Sequence, residues 1–93
     1  MPRFTVRVEL HNAQPQDYEL LHEEMLKFHF KRTIEGTDGT IYKLPTAEYN
    51  IISADTGEEV RSNAFQATKN IGKYASVLVT KSDGIFWINL DEE

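Results

Sequence analysis

The spacing of apolar residues along this chain switches from a period of two to one near 3.6 and back, twice over, which limits the fold more than any single residue does. Phe4, Val6, Val8 and Leu10 alternate with Arg3, Thr5, Arg7, Glu9 and His11, which predicts a strand with one buried face. After His11-Asn12-Ala13, Pro15 suits the first turn of a helix. Tyr18, Leu21, Met25 and Phe28 then recur at helical spacing, with Glu19, Glu23, Glu24 and Lys27 opposite. Alternation returns over residues 29 to 35, with Phe30 and Ile34 on one side and His29, Lys31 and Thr33 on the other. Gly36-Thr37-Asp38-Gly39 breaks it and turns the chain into a hairpin. The return limb, Thr40 to Ser53, is interrupted by Pro45, so Ala47 to Ser53 is its better strand. Thr56 with Glu59 makes a capping box for a second helix marked by Val60, Ala64, Ala67 and Ile71 and closed by Gly72. Ala75 to Ser82 and Ile85 to Asn89 then read as two strands joined by a tight turn at Asp83-Gly84. That register sets Val79 opposite Ile88 and Val77 opposite Leu90, puts Thr80 and Trp87 on the other face, and leaves Asp91, Glu92 and Glu93 to fray.

The predicted fold class is α+β: a ferredoxin-like βαββαβ two-layer sandwich with an additional C-terminal strand, forming a single domain over residues 1–93. Both helices lie between strands, and right-handed crossovers put both apolar stripes on one sheet face. Another α+β two-layer sandwich with a different strand order is the competing arrangement. A chain of 93 residues buries about 65% of its unfolded surface, enough for one modest core without staples.

Composition removes several function classes. With no cysteine there is no disulfide framework, thiolate nucleophile or thiolate metal site, and a cytoplasmic location is expected. The opening MPRFTVRVEL lacks the apolar run of a signal peptide, and no window approaches the ~20 apolar residues of a membrane span, so no membrane role is expected. His11, His22 and His29 fall on different predicted elements without metal-ligand spacing, so no metal site is predicted. Neither GxGxxG nor GxxxxGK[ST] occurs, and GxSxG and SxxK are absent, which argues against a nucleotide or other small-molecule cofactor and against acyl transfer.

What remains is the sheet face without a helix. It collects Arg3, Arg7, Glu9 and His11 from the first strand, with His29 and Lys31 able to join from the second. Guanidinium forks there could hold an RNA backbone while His or Glu moves protons. Alternatively, the charges pair across strands and keep a solvated face soluble. The net charge of -5, from fifteen acids against ten basic residues, opposes strong nucleic-acid binding. Trp87 and Tyr42 could stack on a base, meet a partner chain or simply pack. The last strand, at a sheet edge, offers backbone groups that a second copy could pair with, which makes a homodimer the expected assembly.

The run PRFTVRVELHNAQPQDYELLHEEMLKFHFKRTI, then GTIYKLPTAEY and VLVTKSDGIFWINL, resembles the GhoS family of endoribonuclease antitoxins from type V toxin-antitoxin systems. The likeness runs end to end and rests on length, element order, the [aromatic]xVxVEL strand and the DYExLH helix. It implies a ferredoxin-like fold, similar to small CRISPR-associated nucleases, and cutting of a toxin messenger RNA. In those nucleases an aspartate near the end of the first strand holds a metal, and Glu9 is the nearest match here. A lone carboxylate suits a two-metal mechanism poorly, so a metal-free route is at least as plausible. In that route a base removes the 2′-hydroxyl proton while cations steady the phosphorane. His22 stands roughly where the antitoxin places a basic side chain on its first helix. The expected function is therefore an antitoxin-like endoribonuclease or RNA-binding protein. Arg3, Arg7 and Lys31 would hold phosphate, and Glu9, His11 or His22 would act as acid or base. The competing function is a non-catalytic interaction module that dimerises or binds a protein partner.

Overall fold

Strand β1 (Arg3–Leu10) runs through the middle of a three-stranded antiparallel sheet in a computed structural model that describes all residues, 1–93. Its even-numbered side chains, Phe4, Val6, Val8 and Leu10, are buried, and its odd-numbered ones point the other way, as the alternation requires. β4 (Glu48–Ile52) flanks it on one side and β5 (Ala75–Ser82) on the other, so that Val6 faces both Tyr49 and Val79.

Helix α1 (Pro15–Lys27) begins with proline in its first turn, and the Asp17 carboxylate accepts from the Gln14 backbone N–H at 2.8 Å. Helix α2 (Gly57–Asn70) begins with the predicted capping box, in which Thr56 and Glu59 satisfy each other's backbone N–H. Leu21 and Met25 from α1 join Val60, Ala64 and Ala67 from α2 in one core with the even face of β1 and with Phe30, Tyr49 and Ile51. Both helices therefore cover the same face. Alanines along α2 let it approach the sheet closely, which explains how so narrow a stripe is fully buried.

Residues 29 to 35 depart from a simple second strand. Only Lys31 pairs with β4, through reciprocal backbone bonds to Asn50 of 2.8 Å each. The chain then bends at Arg32 and forms a separate two-stranded ribbon, β2 (Thr33–Glu35) with β3 (Ile41–Lys43), around the predicted turn. β3 stops before Pro45, as expected of a residue that cannot donate to a ladder.

The expected C-terminal strand over Ile85 to Asn89 does not form, and neither does the turn at Asp83-Gly84 that would have paired Val79 with Ile88. Ile85, Trp87 and Leu90, each half-buried, instead line an apolar hollow of about 170 Å3 together with Thr5, Ile34 and Leu44 on the odd face of the sheet. Trp87 packs edge-on against Tyr42, with ring centroids 5.4 Å apart. Asp91, Glu92 and Glu93 are not frayed: the Asp91 carbonyl accepts from Lys43 N–H at 2.8 Å, and Glu93 N–H donates to the Ile41 carbonyl at 2.9 Å. The strand-like backbone pairing of the C-terminus thus falls on Asp91 to Glu93, with β3 as partner, and Ile85 to Asn89 joins no ladder.

Candidate functional site

The odd face of the sheet carries no helix, yet it is not open throughout. The ribbon and the C-terminal segment cover its middle at Thr5 and Glu48, leaving separate polar regions on either side. Arg3 and Arg7 do share this face, six and two residues respectively from Glu9 along β1, but they serve different regions.

The first region is a cavity of about 450 Å3 between β1, β4 and the ribbon. Arg3, Lys31, His29 and Asn50 line it, with Thr33 and Glu35 from the ribbon and Ile41, Ile51 and Ile52 as its apolar lining. Register explains the gathering. Lys31 lies opposite Asn50, Asn50 lies opposite Thr5, and Arg3 is one row further along opposite Ile52. Two polar atoms among these residues are buried without a partner: the Nε of Arg3, a donor, and the Oδ1 of Asn50, an acceptor. Asn50 is only 8% exposed. Leaving such a group unpaired costs about 1–3 kcal/mol, and because both atoms are shielded from solvent, a ligand pairs with them only after the two side chains turn toward the cavity.

His29 reaches this cavity through an unusual backbone. It stands just past the C-terminal cap of α1 with φ of 71°, a left-handed conformation. Its N–H bonds to the Leu26 carbonyl at 2.9 Å and the Phe30 N–H to the Met25 carbonyl at 3.1 Å, the paired bonds that close a helix end. α2 ends in the same way with Gly72 at φ 70°, where the absent Cβ removes the strain. Histidine in that role costs about 1 kcal/mol relative to glycine.

The second region, at the far end of β1, is an exposed row. The Arg7 guanidinium lies 3.8 Å from the Glu9 carboxylate, and His11 Nε2 lies 2.9 Å from the Ser76 hydroxyl. An exposed ion pair of this kind contributes little to stability. Six residues separate Glu9 from Arg3, roughly 20 Å of extended chain, so Glu9 and His11 cannot act on a phosphate held by Arg3.

His22 belongs to neither region. It lies on the helical side, half-buried, with Nδ1 2.6 Å from the hydroxyl of fully buried Tyr49. Burial pushes its pKa down, assisted by the Arg32 charge and opposed by Glu19. Burial pushes the Tyr49 phenol well above its ordinary value, so it keeps its proton, and it shares with the ring a hydrogen bond whose direction follows the ring tautomer.

The structure thus brings Arg3 and Lys31 together, separates them from Arg7, Glu9 and His11, and puts His22 on the other side of the sheet. It adds His29 and Asn50 to the first pair. The phase of residues 29 to 33 already set His29 beside Lys31, whereas Asn50 gave no signal because its strand reads as plainly apolar around it. No group of three or more His, Asp and Glu side chains is arranged to hold a metal ion. No protein-family profile matches the chain, and no curated protein matches it in sequence.

Proposed function

We propose that the chain is an RNA-binding protein of the antitoxin-like kind, which grips one ribonucleotide unit of a single-stranded RNA in the cavity of Arg3, His29, Lys31 and Asn50. One observation carries this reading: Arg3 and Asn50, which line one cavity, each hold a shielded polar atom with no partner in the protein, a donor and an acceptor that a ligand gains when the side chains turn outward. A phosphate oxygen suits the first and a ribose 2′-hydroxyl suits the second, a combination that DNA does not supply. Lys31 adds a second positive charge. The sheet order fits a ferredoxin-like arrangement in which β5, β1 and β4 are followed by Lys31 as the remnant of a fourth strand. The resemblance to endoribonuclease antitoxins makes a toxin messenger RNA the natural target.

Scission would follow a metal-free course. A base takes the 2′-hydroxyl proton, the oxygen attacks the adjacent phosphorus, the P–O5′ bond breaks as the 5′-oxygen takes a proton from water, and a 2′,3′-cyclic phosphate and a 5′-hydroxyl remain. Arg3 and Lys31 would neutralise the phosphorane. His29, the imidazole in the cavity, is the group suited to the proton step, in place of the distant Glu9, His11 and His22.

Binding of a labelled single-stranded oligoribonucleotide, compared with DNA of the same sequence, tests the reading. RNA is expected to bind more tightly than DNA, and Arg3→Ala and Lys31→Ala each to weaken RNA binding about tenfold, the effect of one charge-assisted hydrogen bond. Equal affinity for RNA and DNA, or no loss in the double variant, contradicts it. Cleavage is scored separately with EDTA present: cyclic-phosphate ends that disappear in His29→Gln support the proton role.

A further inference from the structure

β5 has β1 as its one strand partner, so its other edge is free along all eight residues. Hydrogen-bond phase identifies what that edge offers. His11 N–H donates to the Tyr74 carbonyl at 2.9 Å, which sets the even-numbered residues of β5 toward β1 in the continuous register that follows. The backbone groups of Ala75, Val77, Val79 and Lys81 therefore point outward, and no turn, loop or cap takes them up.

Edge strands are ordinarily blunted by proline, bulges or several charges. β5 has no proline and no glycine, pairs one-to-one with β1 without a bulge, and carries Lys81 as its one charge. Leu78, at its centre, points to the face without helices and is 64% exposed. Val77 and Val79, on the helical face, are only half-buried.

We propose that β5 pairs antiparallel with β5 of a second copy across a two-fold axis passing Leu78, making a continuous six-stranded sheet. The symmetry and the phase select this register. A two-fold axis perpendicular to the sheet keeps both helical layers on one side and demands that paired residues share a face. With the axis at Leu78, Val77 meets Val79 of the second copy and Ala75 meets Lys81, so all four outward residues bond. Leu78 meets its own symmetry mate in a non-hydrogen-bonded position, where side chains approach most closely. No like charges face each other, and the most exposed apolar side chain of the strand becomes covered. The second copy is favoured over a foreign strand because the β5 sequence satisfies itself on both faces in one register.

The whole chain contains no cysteine, which makes the test direct. The protein is expected to run as a dimer in light scattering from micromolar to millimolar concentration. Leu78→Lys, at an exposed position, is expected to give a folded monomer, because it sets two ammonium groups opposite each other. Val79→Pro removes an N–H that β1 does not use, and is expected to do the same while the circular dichroism of the fold persists. Leu78→Cys is expected to form a covalent dimer on mild oxidation, and Thr80→Cys is expected to form far less. A wild-type monomer at millimolar concentration, a dimer unaffected by Leu78→Lys, or equal cross-linking at 78 and 80 overturns the proposal. RNA binding by the cavity is read separately and does not depend on the outcome.

Discussion

His29 and His22 illustrate how one residue type takes different roles on the two sides of a sheet. His29 occupies a left-handed backbone position that glycine fills at the end of the other helix. If its side chain contributed only to folding, glycine would be preferred there. His29→Gly is therefore expected to raise stability by about 1 kcal/mol while weakening RNA binding and abolishing cleavage, a trade-off that urea unfolding and the binding assay check together. His22 is governed by solvation. Its folded-state pKa lies below the unfolded value, so the folded protein binds fewer protons. The contribution is fully present above pH ~6.5, the unfolded histidine value, and diminishes as the pH falls from there through the lower folded value. Melting temperatures measured between pH 7.5 and about 5 should fall in the wild type and fall less in His22→Gln. Tyr49→Phe, which removes the buried hydrogen-bond partner of His22, should cost about 1 kcal/mol. Of the site, Arg3 and Lys31 were legible because strand alternation puts them on the face without helices. His29 was partly legible through its phase, and Asn50 was not, because an unpaired carbonyl is a property of packing and not of pattern.

At the scale of elements, β1, both helices, the ribbon turn and the break at Pro45 follow from local signals that agree with the final packing. Thr56 and Glu59 cap α2 as their spacing requires, and Thr56→Ala should destabilise the protein by about 1 kcal/mol in denaturant titration. The final segment is the exception. Asp83-Gly84 and the alternation of Ile85 and Trp87 describe a hairpin, but a turn signal does not choose among the edges available in three dimensions. The ribbon, split from the sheet by the bend at Arg32, offers an apolar surface at Ile34 and Leu44 against which Ile85, Trp87 and Leu90 settle, the two sides enclosing a small hollow. That competition depends on contacts distant in sequence, which is why periodicity could not settle it. Trp87→Ala should loosen this arrangement locally. Hydrogen exchange should show lost protection at Lys43, whose N–H is held by Asp91, while the amides of β1 remain protected.

For the whole molecule, a net charge of -5 and a cavity that sets Arg3 and Lys31 against one carboxylate, Glu35, predict selective, salt-sensitive binding of modest strength and no general affinity for polyanions. The logarithm of the RNA affinity should fall with the logarithm of salt with a slope of about −0.7 for the one phosphate that Arg3 and Lys31 share, and the slope should flatten in the double variant Arg3→Ala, Lys31→Ala. The covered middle of the sheet confines the contact to the end of the molecule that holds Arg3. The most direct test is an NMR titration of the isotope-labelled protein with a short single-stranded oligoribonucleotide. The largest shifts should fall on Arg3, His29, Lys31 and Asn50, including the Asn50 side-chain amide, with little change around Arg7, Glu9 and His11. Shifts centred on Arg7 to His11, or none at all at low salt, would contradict the account.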